Sequence, residues 1–234
     1  MNPSNFDMFD PLKGGDLLAS FLKLHPGLTR LRFSVGSIVA MSPSLRVSLP
    51  NLQHYDGPAG PITALDVRGL KEAKISWNSG ETSDTYIDNT IKALNLLTSP
   101  DIGFISSHEY CDPCCMSIVT SVSNPMQYTR TLRMRSLMDF DLLLDHDTIR
   151  HITECLPRFT GLVYLAMDWC IGIFSTSGAN MDMDRSAVEA WGAACPTLEA
   201  CCLNHHAWRQ MDGTWEEYPM LDFRMLAGLP DLGY

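Results

Sequence analysis

Positive charge is scarce in this 234-residue chain: 17 lysines and arginines stand against 27 aspartates and glutamates, a net charge of −10. Such a chain lacks the broad basic face that nucleic acid requires, and its balance favours solubility. Long apolar runs are missing too. The most apolar stretch, Leu162 to Phe174, is broken by Asp168 and is too short to span a bilayer. Met1 to Asp7 holds neither a positive segment nor an apolar one, so no secretory signal is expected and the protein is read as cytoplasmic or nuclear. The chain has no G-x-G-x-x-G or P-loop to cradle phosphate, and no G-x-S-x-G elbow. It is not a disordered chain either. At 45% hydrophobic residues it can bury one sizeable core.

What is present is a short recurring phrase: a proline, then a leucine, then apolar residues at fixed offsets. It reads Pro26-Gly27-Leu28 with Leu31 and Phe33, and Pro50-Asn51-Leu52 with Tyr55. Later copies are Pro157 and Phe159 with Leu162, Leu165 and Met167, and Pro196-Thr197-Leu198 with Cys201 and Leu203. A copy without proline is Gly69-Leu70 with Ala73 and Ile75. Irregular self-similarity of this kind points to stacked supersecondary units rather than one enzyme core.

Helical patterns precede most copies. Asp16 stands before Leu17, Leu18, Phe21 and Leu22, and Asn89 before Ile91, Leu94 and Leu97. Asp147 stands before Ile149, Ile152 and Cys155, and Asp184 before Ala187, Val188 and Trp191. Each leading residue is placed to N-cap its helix. Pro26, Pro100, Pro157 and Pro196 then stop the helix and send the chain into an extended segment. The segments that follow alternate. Leu31, Phe33 and Val35 share one face, as do Ala73, Ile75 and Trp77, and Leu132 and Met134.

Helix, proline, strand, repeated, predicts parallel strands joined by crossovers. Sheets covered on both faces have strands apolar on both sides, and these are apolar on one. The expectation is an α/β solenoid with a curved parallel sheet, an open concave face and helices on the convex side. Its neighbouring strands are placed at 30–35, 73–77, 131–135, 162–167 and 199–203. Residues 78–90, 106–127 and 175–184 read as surface loops. Asp212-Gly213 predicts a two-residue hairpin whose Trp208 and Trp215 close the end of the core. No linker divides the chain, so 1–234 reads as one domain with 204–234 as its C-terminal cap.

Candidate chemistry is thin. His108-x-x-Cys111-x-x-Cys114-Cys115 has the spacing of half a zinc site, but no second ligand pair follows, and the plainer reading is a loop packed by thiols. Cys155, Cys170, Cys195, Cys201 and Cys202 lie in apolar patterns and read as small core residues. Asp145-His146-Asp147 with His151 lacks the further ligands of a metal-dependent phosphohydrolase and serves better as a helix start. Asp139, Asp141, Asp145 and Asp147 read as a solvated acidic face. No catalytic residue, metal or cofactor is therefore expected.

The outward strand positions say more. With the apolar residues inward, the open face carries Arg30, Arg32, Lys74, Arg133 and Arg135, with His54 and Ser76 nearby. One reading of such charges is that they discourage sheet association. As a site, these five cations and His54 predict a groove for a protein partner that brings an acidic or phosphorylated segment.

The phrase Cys195-Pro196-Thr197-Leu198 with Leu203, followed by Trp208-Arg209 and Asp212-Gly213-Thr214-Trp215, resembles the C-terminal end of the leucine-rich, F-box-type proteins of mushroom-forming (basidiomycete) fungi. Cys155-Leu156-Pro157 and Leu49-Pro50-Asn51-Leu52 fit the same repeat region. The resemblance implies a leucine-rich-repeat-like solenoid of roughly six or seven units. It also implies a non-enzymatic role in presenting substrates to a ubiquitin ligase. In that family an F-box bundle docks on a Skp1-type adaptor. No Leu-Pro-x-Glu helical segment is found here, so only the recognition half is implied. The competing readings are a metal-dependent or cysteine hydrolase in an α/β fold, and a fragment without independent function.

Overall fold

A computed structural model describes residues 11–33, 45–77, 83–101, 103–111, 114–137, 144–169, 181–204 and 206–229. Its strands are β1 (Arg30–Arg32), β2 (Val47–Ser48), β3 (His54–Pro58), β4 (Leu65–Asp66), β5 (Glu72–Trp77), β6 (Phe104–Tyr110), β7 (Thr129–Ser136), β8 (Tyr164–Trp169), β9 (Ala200–Leu203), β10 (His206–Met211) and β11 (Thr214–Tyr218). Its helices are α1 (Pro11–Lys23), α2 (Asp84–Leu97), α3 (Cys115–Ser123), α4 (His146–Cys155), α5 (Met181–Ala194) and α6 (Met220–Ala227).

The expected strands all form, and all are parallel members of one nine-stranded sheet, ordered β1-β3-β5-β6-β7-β8-β9-β10-β11. Two further strands stand between them. β3 follows from the Pro50 phrase. β6 and the helix after it occupy 104–123, where a surface loop was expected. The signal in α3 was present: Cys115, Ile118, Val119 and Val122 recur at helical spacing and are buried. Residues 34–35, 78–82 and 175–180, also read as strand or loop, lie outside the described residues.

The phrase leucines do a common job. Leu52, Leu70, Leu162 and Leu198 are buried, and the residues after Leu28, Leu52 and Leu162 each reach the neighbouring unit through their backbone. The Gln53 carbonyl accepts from the amides of Lys71 and Glu72, and the Val163 carbonyl from those of Glu199 and Ala200. The Thr29 carbonyl accepts in the same way from Gln53 and His54. β3, β5 and β9 are thus each registered on the strand before at the same repeated position.

Strand order that never reverses, with crossovers of one hand, puts the connecting helices on one face. Side chains of α1 to α5 share a single core with Tyr55, Ala73, Ile75, Leu132, Leu165 and Cys201 from the sheet. In the first two crossovers, short β2 and β4 pair with one another and stand where a helix would be. The helices begin earlier than expected, so the caps differ. Ser83, not Asn89, caps α2 by accepting from the Tyr86 amide, and Asp145, not Asp147, caps α4 by accepting from Thr148. Asp16 and Asp184 lie inside their helices.

The expected hairpin forms. β10 runs antiparallel to β9 and β11 to β10, turning at Asp212 (φ 52°) and Gly213 (φ 85°), a left-handed pair that Asp-Gly accommodates. Trp208 and Trp215 are buried in the main core. One expectation is overturned. Helices do not keep to one side: α6 folds back onto the opposite face of the sheet. There Phe223 and Ala227 bury a second, smaller core with Tyr164, Ala166, Ala200, Cys202 and Ala207. The cause is local. Those five outward positions are small or aromatic rather than charged, and they need a cover.

Candidate functional site

Register fixes the outward face. Arg32, Asp56, Lys74, Ser107 and Arg133 are matched across five adjacent strands, and Arg135 sits opposite Glu109. The parity read from the sequence is therefore correct for Arg32, Lys74 and Arg133. The picture of a bare basic stripe is not. Carboxylates alternate with the cations. Arg32 Nε lies 3.1 Å from Asp56, and Lys74 Nζ lies 3.9 Å from Asp56 and 3.1 Å from Glu109. Arg135 Nη1 lies 3.1 Å from the same Glu109, and His54 Nδ1 lies 3.0 Å from Glu72. Arg30 is exposed at the sheet edge. Burial holds the Asp56 carboxyl above the usual carboxylate range, although Lys74 and Arg32 pull it back down.

Arg133 also departs from expectation: it is 3% exposed and belongs to the interior of this face, together with Ser107 and Glu109. Asp56 and Glu72 were legible in the sequence, because each neighbours a residue read as inward. Glu109 was not, because β6 itself went unread.

The metal-like cluster is taken apart by the fold. Cys114 and Cys115 are buried in the main core at the start of α3, not in a surface loop, and burial pushes the Cys115 thiol up to about 11. His108, on β6, also points into the core, where its ring nitrogens are taken by partners other than the cysteines. The Trp77 indole N–H donates to its Nδ1 at 3.1 Å, and its Nε2 lies 2.9 Å from Ser106 Oγ. Indole is only a donor, so Nδ1 must accept and the proton sits on Nε2. Burial pushes this imidazole down to about 3, which keeps it neutral. Among the described residues no group of three or more His, Cys, Asp or Glu is placed to share a metal ion. His151 meets Thr120 Oγ1 at 2.7 Å and Cys155 Sγ at 3.8 Å, an interhelical contact between α3 and α4. Two cavities, of about 330 and 200 Å³, are lined by α2 and by loop residues such as Arg68 and Tyr128, away from the outward sheet residues. No described helix is long and apolar enough to cross a membrane.

Comparison with known proteins returns no matching family model, no matching curated protein and no matching solved structure.

Proposed function

We propose that this chain is a non-enzymatic protein-recognition domain, an irregular leucine-rich-repeat-like solenoid that uses its outward sheet face to hold a partner. One observation carries the reading. In a chain of net charge −10, the outward positions of β1, β3, β5, β6 and β7 bring together Arg30, Arg32, Lys74, Arg133 and Arg135 against Asp56, Glu72 and Glu109. Positive charge is concentrated where strands lie side by side and no described helix covers the outward side of β1, β3 and β5.

The partner's contribution is an acidic or phosphorylated segment. It meets Arg30 and Arg32 first, at the edge of the sheet, where the Arg32 side chain is 81% exposed. Its carboxylates or phosphates then compete with Asp56 for Arg32 and Lys74. Arginine suits this exchange because it can bind two oxygens at once. The sequence resemblance to F-box-type proteins places such a domain as the substrate-binding part of a ubiquitin-ligase receptor. No constellation among the described residues favours the hydrolase reading.

The test is binding of an acidic and phosphorylated peptide array to the protein and to its Arg30→Glu/Arg32→Glu variant, at low and high salt. Both residues are largely solvated, so the variant's stability should stay within about 0.5 kcal/mol of the parent. Binding should weaken with salt and vanish in the variant. Binding indifferent to salt and to both reversals would reduce these charges to solubilising groups.

A further inference from the structure

We infer that the chain assembles head to tail with further copies of itself, the outer edge of β11 in one copy adding to the outer edge of β1 in the next. This stands apart from the proposed function and shares only Arg30 and Arg32 with it.

Three observations carry it. The first is that both ends of the nine-stranded sheet are open: among the described residues no strand pairs with the outer side of β1 or of β11. The bonding groups on those sides can be named. The Thr29 carbonyl and the Phe33 amide bond β3, so Arg30 and Arg32 turn their amides and carbonyls away from it. The Gln210 amide bonds the Glu199 carbonyl on the β9 side. Its partner Trp215, and Glu217 two residues on, therefore turn their own groups away from β10. The second observation is direction. β10 reverses the chain and β11 reverses it again, so β11 runs the same way as β1. A second copy's β1 set beside β11 continues the sheet as one more parallel strand. The third is charge. β1 exposes Arg30 and Arg32, and β11 exposes Glu216 and Glu217. Like charges bar each edge from pairing with its own kind, and opposite charges admit the other. Among the described residues neither Arg30 nor Glu216 has an ion-pair partner.

Pleat parity matches as well. Trp215 and Leu31 both face the main core, which leaves Glu216 and Arg32 facing outward. With Trp215 opposite Leu31, the Trp215 amide reaches the Arg30 carbonyl and the Arg32 amide reaches the Trp215 carbonyl. That register lays Glu216 beside Arg32, and a slip of two residues lays it beside Arg30. Either one pairs opposite charges across strands about 4.8 Å apart. The N-terminal end also lacks the polar outer surface of a terminal cap: Leu17 and Phe21 of α1, and Leu24 just after it, are each more than half exposed. Contact between two different surfaces is heterologous, so it keeps adding copies and does not close at two.

Sedimentation velocity of the full chain tests this, at low and high salt over rising protein concentration and with no peptide present. At low salt the sedimentation coefficient should climb with concentration and pass that of a dimer. At high salt it should fall back toward the monomer. Glu216→Arg/Glu217→Arg should hold the chain monomeric, and so should Arg30→Glu/Arg32→Glu. An equimolar mixture of the two should associate again, because each variant then meets the opposite charge. Glu217→Pro keeps the bonds between β10 and β11 but removes an amide from the free edge, and should weaken association at least about tenfold. A parent that stays monomeric, or that stops at a dimer, would overturn the inference. So would a mixture of folded variants that stays monomeric, or a Glu217→Pro protein that associates as the parent does. Should a reversal fail to fold, the parent series and Glu217→Pro decide. The Glu216→Arg/Glu217→Arg variant keeps the arginine face, so its capture of acidic peptides reports on the proposed function alone.

Discussion

The two faces of the sheet are built from alternate residues of the same strands, yet they obey different rules. On the helical side, burial and apolarity coincide: Ala73, Ile75, Leu132, Met134 and Leu165 are buried and meet α1 to α5. On the other side they come apart. Its β8–β10 half is buried and apolar beneath α6, whereas Ser107, Glu109 and Arg133 in its middle are buried and polar. Lys74, nearer the edge, is half-buried, and Arg32, at the edge, is solvated. Pleat parity decides which face a residue joins, but not what that face is made of. Buried charge carries a desolvation cost that a partner of opposite sign offsets, and the Lys74–Glu109–Arg135 chain supplies such partners.

The largest test of that contrast is Arg133→Glu. If the middle of the outward face is interior, this reversal puts a carboxylate into a buried position with Glu109 on the next strand, at a cost of about 3–5 kcal/mol. Urea denaturation measures it. A loss under about 1 kcal/mol would show that the middle is as solvated as the edge.

A smaller effect probes a polar intrusion on the helical side. His108→Gln removes the partner of Trp77 and should cost about 1–3 kcal/mol at pH 7. It should also change the pH dependence. The buried imidazole is held down at about 3, whereas in the unfolded chain it titrates near 6.5. As pH falls below 6.5 the unfolded chain takes up a proton that the folded protein refuses. Stability is therefore lost progressively from about pH 6.5 toward pH 3, by about 1.4 kcal/mol per pH unit. Subtracting the His108→Gln curve from the parent curve isolates this slope from the titration of Asp56 and Asp184, whose raised carboxyls act in the opposite sense. Parallel curves between pH 7 and 5 would mean that His108 is not neutral and buried.

The smallest effect belongs to Lys74→Met. Arg32 still neutralises Asp56 and Arg135 still neutralises Glu109, so the change should cost about 0–1 kcal/mol. A loss above about 2 kcal/mol would move Lys74 from the edge into the buried middle.

Most of the sheet was legible because its signals are local. A proline after a helical pattern, then alternation, located five strands, and Asp212-Gly213 located the hairpin. Strand β6 was hidden because the middle of both its faces, Ser106 to Glu109, is polar for tertiary reasons. His108, held by Ser106, satisfies Trp77, and Glu109 answers Lys74 and Arg135, partners that lie far away in sequence. Helix α6 was hidden because its exposed Leu221 and Met225 spread apolar residues around the helix and blur the amphipathic period. The outward cations could be assigned from parity alone. Their carboxylate partners required knowing which strands are neighbours.

Strand order that follows chain order has a consequence for synthesis. Each strand from β3 to β9 docks on one already made, so a chain emerging from the ribosome can add units as they appear, without waiting for distant sequence. Only the last steps break the direction. β10 and β11 reverse the chain, and α6 then carries it back over strands completed earlier. A nascent chain stalled before residue 206 would have its seven parallel strands in place but would leave the outer edge of β9 unpaired and Tyr164, Ala200 and Cys202 uncovered. That interval is when this protein is most open to chaperones and to wrong neighbours.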